Sequence, residues 1–135
     1  MANRRFNQFR LSLEPKVVDL FVQMTIGATG SVSGWATTDQ PYSKGISSVS
    51  RTSAGLYVIT LDSVYNGLLF ADFKLLAATG TVAPECKLVS FTGGNVLTIQ
   101  FVNYTSSSNT TQIAADPTPG DVVLGKIILS NTVAI

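Results

Sequence analysis

Residues 17–26 read VVDLFVQMTI and decide the fold class. Every second residue of this stretch is apolar, and the residues between them include Asp19 and Gln23. A period of two held over ten residues predicts a β-strand with one buried face. Pro15 just before the stretch disfavours a helix that continues from the N-terminal side, and Gly27 ends it.

Six further segments have the character of strands, and polar or glycine-rich connections separate them. Strands are predicted at 46–51, 55–61, 72–78, 85–91, 96–102 and 122–129. The segments 52–54 and 92–95 predict hairpin turns, and Asp62-Ser63 predicts a short helical turn over 64–66. The segments 28–45 and 103–120 are predicted loops. The segment 122–129 is apolar on both faces apart from Lys126, which predicts a central strand or one covered by another subunit.

This order of elements predicts one all-β domain, an antiparallel β-sandwich or barrel of about seven strands. The domain is predicted to span residues 16–135, and residues 1–15 are predicted to form an N-terminal arm. The chain has 135 residues, which suits a single hydrophobic core.

Composition excludes several functional classes. The chain has nine Lys and Arg, eight Asp and Glu, no His and one Cys, and only 13% of its residues are charged. Catalysis that depends on histidine, a zinc site of Cys and His ligands and a disulfide scaffold are therefore excluded. We expect no cofactor and no metal. No apolar run reaches the length of a membrane span, and the single cysteine is typical of a reducing cytoplasm.

The N-terminal arm is the one segment with electrostatic character. Residues 1–13 carry three arginines and no acidic residue, whereas the remainder has two more acidic than basic residues. The candidate contact residues are Arg4, Arg5, Phe6, Phe9 and Arg10. Arginines among apolar anchors are typical of protein interfaces, so we expect the arm to dock on a partner protein or a neighbouring copy. Packing of the arm on its own sheet edge, and binding to nucleic acid, are the alternatives; we expect no nucleic acid.

Other reactive or aromatic residues have plain structural interpretations. The predicted loop 28–45 contains Trp35 and Tyr42, which either plug the open end of the sandwich or contact a sugar or a protein. Cys86 is interpreted as a small buried apolar residue. No two acidic residues have the spacing of a metal loop or of a glycosidase pair, so the chain is expected not to be an enzyme.

Part of the sequence resembles small virion proteins of tailed bacteriophages. In that pattern a strand that ends in Arg is followed by a G-x-Y-x-x-T-L strand and a turn that contains Tyr. Here these are Arg51, the strand 55–61 and Tyr65. The Ala115-Asp116-Pro117 loop and the ending 125–132, GKIILSNT, fit the same pattern.

Within that group the chain resembles capsid decoration (cement) proteins. The resemblance implies a β-rich protein that binds the outside of the phage head and stabilises the lattice of the major capsid protein. It also implies a homo-oligomer, with a trimer as the favoured form. The protein would be made in the cytoplasm of the host bacterium and end on the capsid surface, without contact with a membrane. A tail, adaptor or fibre-associated virion protein is an alternative. A sugar-binding β-sandwich with Trp35, Tyr42 and Tyr104 as platforms is another.

Overall fold

A computed structural model of the chain describes residues 17–34, 45–77, 84–104 and 112–130. Nine strands are present in these ranges, and they form two sheets that face each other as a sandwich. The strands are β1 (Val17–Ile26), β2 (Val32–Ser33), β3 (Ile46–Ser53), β4 (Leu56–Leu61), β5 (Gly67–Leu76), β6 (Glu85–Thr92), β7 (Val96–Tyr104), β8 (Gln112–Ala114) and β9 (Val122–Ser130). The described strands do not close into a barrel.

The four-stranded sheet has the order β2-β1-β9-β5, with every pair antiparallel. The predicted central position of the last strand is confirmed, because β9 pairs with β1 on one side and with β5 on the other. Ser130 at the end of β9 lies opposite Val17 of β1 and opposite Gly67 of β5. Strands β1 and β5 therefore begin at the same end of the sheet.

The five-stranded sheet has the order β3-β4-β7-β6, and β8 also pairs with β7. Both predicted hairpins are present, since β3 pairs with its successor β4 and β6 pairs with its successor β7. The β3–β4 turn lies at Ala54 and Gly55, between the paired residues Ser53 and Leu56. The short strand β8 and the start of β4 both lie alongside β7, so the β3–β4 turn approaches the segment that follows β8.

The core lies between the two sheets and consists of the inward residues that the alternation predicted. Its fully buried side chains include Met24, Tyr57, Ile59, Leu97, Ile99, Phe101, Ile127 and Leu129. The rings of Tyr57 and Phe101 meet edge to face, with centroids 5.6 Å apart. Gly125 faces Phe73 across the β5–β9 pair. A Cβ at this glycine would lie 2.3 Å from the Phe73 ring, so the glycine makes room for the aromatic side chain.

Several sequence-based boundaries were wrong. Strand β5 begins at Gly67 and not at residue 72, and the predicted loops contain the short strands β2 and β8. No helical turn forms at 64–66, because the backbone N–H groups of Tyr65 and Asn66 donate to the carbonyls of Gly94 and Ser130. Those donors serve contacts between distant parts of the chain. They are therefore not available to a local turn.

Candidate functional site

The outer face of the four-stranded sheet is the candidate functional surface, and we call it the front face. It consists of the outward side chains of β1, β9 and β5, which lie in cross-strand rows fixed by the strand register. Its main residues are Asp19, Phe21, Phe70, Asp72, Lys74, Leu76, Leu124, Lys126 and Ile128.

Large apolar side chains on the front face are open to solvent. Phe21 is 51% exposed, Phe70 55%, Leu76 61% and Leu124 41%. Isolated exposed apolar residues are ordinary, but aromatic and aliphatic side chains gathered on one sheet face are typical of interaction sites. The chain alternates these residues with buried ones on the same strands, since Leu20 and Val22 flank Phe21 and point into the core.

Charges on the front face balance each other. Lys126 Nζ lies 3.9 Å from an Asp19 carboxylate oxygen and 5.8 Å from the centre of the Phe21 ring. Lys74 Nζ lies 3.8 Å from an Asp72 carboxylate oxygen. Exposed pairs of this kind contribute little to stability. Two acidic and two basic groups leave the front face without net charge, although covering the face would desolvate each of the four groups.

The outer face of the five-stranded sheet differs. Ser50 of β3, Val58 of β4 and Thr98 of β7 form one cross-strand row on it. The neighbouring row of β3, β4 and β7 contains Ser48, Thr60 and Val96. Hydroxyl and valine side chains share these two rows, and Val89 and Ile113 of the same sheet are also exposed, whereas the front face has exposed phenylalanine and leucine. The two faces of the sandwich are chemically unequal.

A second feature is a cluster of hydrogen bonds at one end of the sandwich, centred on Asp116. Arg51 donates to both carboxylate oxygens of Asp116, at 3.0 Å from Nε and 2.8 Å from Nη2. The backbone N–H of Gly55 donates to Asp116 Oδ1 at 2.8 Å. The Tyr57 hydroxyl lies 3.1 Å from the same oxygen and 3.0 Å from the carbonyl oxygen of Gly30. We call these five residues the Asp116 cluster.

Electrostatics within the Asp116 cluster follow from this geometry. The hydrogen bonds from Arg51 lower the pKa of Asp116 below its usual range, and those from Gly55 and Tyr57 act in the same direction. The Asp116 carboxylate correspondingly raises the pKa of Arg51. Burial, followed by the nearby Asp116 charge, raises the pKa of the Tyr57 hydroxyl. The cluster therefore holds a carboxylate, a guanidinium and a neutral phenol at neutral pH.

The Asp116 cluster joins three connections: the one after β1, the β3–β4 turn and the one before β9. Gly55 has φ +71°, and a Cβ there would lie 2.4 Å from the Phe101 carbonyl oxygen. The residue at this position of the turn must therefore be glycine. Arg51, Gly55, Tyr57 and Asp116 are all part of the pattern that carries the resemblance stated above.

A cleft of about 380 Å³ opens between β5 and β6. Its lining residues are Phe73, Lys74, Leu75, Pro84, Glu85, Cys86 and Phe101. Burial raises the pKa of the Cys86 thiol to about 12, with the nearby Asp72 charge as a smaller cause. Cys86 is thus held as a neutral thiol, in line with its predicted role as a small apolar residue.

The ranges that the structure covers contain no group of three or more His, Cys, Asp or Glu residues placed to hold a metal ion. Within the same ranges, no helix has the length and apolar character needed to cross a bilayer. Comparison of the chain with protein-family models, curated proteins and solved structures finds no match.

The site residues named from the sequence lie elsewhere in the chain. Arg4, Arg5, Phe6, Phe9 and Arg10 of the arm, and Trp35 and Tyr42 of the predicted loop, are outside the described residues. Tyr104 ends β7, and only its backbone is described. The sequence analysis named no residue of the front face as a site, although it recognised that 122–129 is apolar on both faces and is either central or covered by another subunit. Phe21 and Leu124 stand at outward positions of β1 and β9.

Proposed function

We propose that this chain is a non-enzymatic structural protein of a virion, a capsid decoration protein that binds the outer surface of a phage head and stabilises the lattice of the major capsid protein. The observation that carries the proposal is the front face, with its exposed Phe21, Phe70, Leu76 and Leu124 and its balanced charges. The resemblance of the sequence to small phage virion proteins suggests a phage capsid as the partner. No cofactor, metal, nucleic acid or membrane takes part.

The front face supports assembly because burial of apolar surface is the dominant favourable term in most protein–protein association. The front face carries charges of both signs, so a complementary partner can place an opposite charge against each of them. A decoration protein repeats such a contact many times on one particle. Several weak contacts of one oligomer then combine through effective concentration. The arm, with Arg4, Arg5, Phe6, Phe9 and Arg10, supplies a further contact to the capsid or to a neighbouring copy.

The Asp116 cluster supports the same proposal indirectly. A protein that stabilises a capsid needs loops that stay folded under the conditions that the capsid meets. The cluster fixes three connections at one end of the sandwich with charge-assisted hydrogen bonds, which are the stronger kind. Arg51, Gly55, Tyr57 and Asp116 belong to the sequence pattern that resembles phage virion proteins, and in the fold they are joined by hydrogen bonds.

The test uses purified heads that lack this protein. The wild-type protein is expected to bind them and to raise the temperature at which they release DNA. Replacing Phe21 and Leu124 together with serine is expected to weaken binding at least tenfold, since truncation of central apolar contacts costs more than about 1 kcal/mol each. The matched control replaces Val64 and Ile113, which are exposed but lie off the front face, and should bind as the wild type does.

The copy number in native particles separates the proposal from a tail role. Quantitative mass spectrometry should find hundreds of copies per particle for a decoration protein. A dozen or fewer would assign the chain to the tail or its adaptor. Equal binding by the front-face variant and the wild type would refute the assigned surface, and no binding by the wild type would refute the function.

A further inference from the structure

Among the described residues, no strand neighbours β5 on the side away from β9, and we call this side its free edge. β5 ends the order β2-β1-β9-β5, and within the described ranges only β9 pairs with it. It is ten residues long and carries the exposed side chains of Leu69, Phe70 and Leu76. A long apolar edge strand presents unpaired N–H and C=O groups and is a liability unless something covers it.

The interior beside this edge is also incompletely covered. Leu88 of β6 lies opposite the fully buried Ile99 and points inward, yet it is 43% exposed. Leu75 of β5 is only partly buried, and the cleft between β5 and β6 opens on the same side. A strand added beside β5 would bring one row of side chains over these residues. The opposite open side of the sandwich, at β3, is mostly Ser and Thr and has no such need.

The arm has the sequence of such a strand. In residues 9–13, FRLSL, the apolar Phe9, Leu11 and Leu13 alternate with Arg10 and Ser12. This is the period of two expected for a strand with one buried face. The two residues before this stretch, Asn7 and Gln8, are both polar, and Phe6 precedes them.

Strand spacing decides whether the arm can reach β5 of its own molecule. The described part of β1 begins at Val17, and both Val17 and Gly67 pair with Ser130. Strands β1 and β5 stand on either side of β9, about 9.6 Å apart at the usual strand spacing, and a strand on the free edge of β5 would lie one spacing further, about 14 Å from β1. A strand from another molecule is not tied to Val17 of this one, and the antiparallel direction is the one that every described pair of this sheet uses.

One register pairs opposite charges on the outer face and apolar residues at two inward positions. With Arg10 opposite the half-exposed Asp72, opposite charges meet on the outer face. Leu11 then faces Ala71 and Phe9 faces Phe73, and Ala71 and Phe73 are inward positions of β5. A shift by two residues in one direction would place Arg10 opposite Lys74 and bring like charges together, and a shift in the other direction would place it opposite the uncharged Phe70.

The hinge favours exchange between copies. From Leu13 to Val17 the chain spans about 14 Å at full extension, and within one molecule it would have to cross the widths of both β9 and β5 and turn at both ends. Pro15 fixes its own φ and disfavours helical backbone at Glu14, which limits those turns. Short strained hinges promote the exchange of an element between identical subunits.

We infer that residues 6–13 of a second copy of this chain add an antiparallel strand to the free edge of β5, with Arg10 beside Asp72. The partner of the arm in the oligomer is then β5 of a neighbouring copy. The biological purpose of this oligomer rests on the proposed function. Each copy gives one arm and receives one, so the exchange can close into a ring such as the expected trimer.

The test is disulfide trapping in the purified protein. Arg10→Cys and Asp72→Cys are combined in a Cys86→Ser background and oxidised, and we expect covalent oligomers on a non-reducing gel. Arg10→Cys with Ser50→Cys is the matched control, because Ser50 lies on the distant strand β3, and it should remain monomeric. A disulfide within one chain, or no disulfide, would overturn the exchange between copies.

Deletion of residues 1–13 provides an independent measurement that needs no introduced cysteine. Sedimentation velocity should show a fall from an oligomer to a single chain, and an unchanged oligomer would overturn the inference. Neither experiment contains phage heads. An oligomer that forms by exchange but does not bind heads therefore refutes the proposed function alone, and head binding by a protein without exchange refutes this inference alone.

Discussion

Replacing Asp116 should weaken the fold in a graded way. Asp116→Ala removes the acceptor of the Gly55 N–H, which is 2.8 Å away and belongs to a buried residue. A buried donor left without a partner costs about 1–3 kcal/mol. The Tyr57 hydroxyl loses less, since the Gly30 carbonyl at 3.0 Å still accepts its hydrogen bond. Arg51 is about one-third exposed and regains water.

The unfolding free energy of Asp116→Ala is therefore expected to fall by about 1–3 kcal/mol at pH 7, mostly from the Gly55 N–H. Asp116→Asn keeps an oxygen for that N–H but places a neutral amide beside Arg51. We expect it to lie between the wild type and the alanine variant, because it loses the charge and keeps the backbone contact.

The pH dependence of the two proteins should also differ. The pKa of Asp116 is lower in the folded chain than its ordinary value of 3.8. The ionised carboxylate therefore stabilises the fold above that ordinary value, and this contribution is lost as the pH falls through the lower folded pKa. The difference in stability between the wild type and Asp116→Asn should shrink from about pH 4 downward.

Urea unfolding followed by circular dichroism measures both effects. Curves at pH 7 and at several values down to pH 2 give the free energy of unfolding by linear extrapolation. Two results would refute the reasoning. One is an asparagine variant as unstable as the alanine variant at pH 7, which would mean that the Gly55 N–H matters little. The other is a constant difference from the wild type down to pH 2, which would mean that the carboxylate charge matters little.

Three other changes test neighbouring features. Gly55→Ala should destabilise at least twice as much as Gly93→Ala in urea unfolding. Both glycines have positive φ, but only at Gly55 would the Cβ meet backbone at 2.4 Å, so equal losses would contradict the clash. Tyr57→Phe should be less sensitive to alkali than the wild type. The raised pKa of Tyr57 means that its stabilising effect is present below pH 10 and lost above it, and parallel stability profiles up to pH 12 would count against this. Cys86, with its pKa near 12, should react with iodoacetamide at pH 8 at least tenfold more slowly in the folded protein than in urea, and equal rates would show an accessible thiolate.

Much of the sandwich could be predicted because strand patterns are local. The alternation over 17–26 identified β1 and its buried face, and the apolar segment 122–129 identified the central strand. These signals need only neighbouring residues, since side chains of a strand point alternately to its two faces. The sequence could not distinguish a sandwich from a barrel, because closure depends on which strand edges meet. That information is carried by contacts between distant segments.

The Asp116 cluster could not be predicted for the same reason. Arg51 and Asp116 are 65 residues apart, and each had a local interpretation as a strand end or a turn residue. The resemblance pattern contained both residues but gave no contact between them. The false helical turn at 64–66 has a similar origin. Asp62-Ser63 is a good local start signal, and the backbone hydrogen bonds of Tyr65 to Gly94 and Asn66 to Ser130 override it.

The two outer faces of the sandwich show how a chain with few charged residues fills its outward positions. A chain poor in charged residues can still cover a sheet with hydroxyls, and this one does so on β3, where Ser48 and Ser50 point outward. It does not do so on β1 and β5, where Phe21 and Phe70 occupy equivalent outward positions. The core does not require these aromatics, because alternate residues of the same strands already fill it. The exposed phenylalanines of the described strands thus lie in one sheet, and exposed aromatic and aliphatic residues gathered on one face are typical of interaction sites.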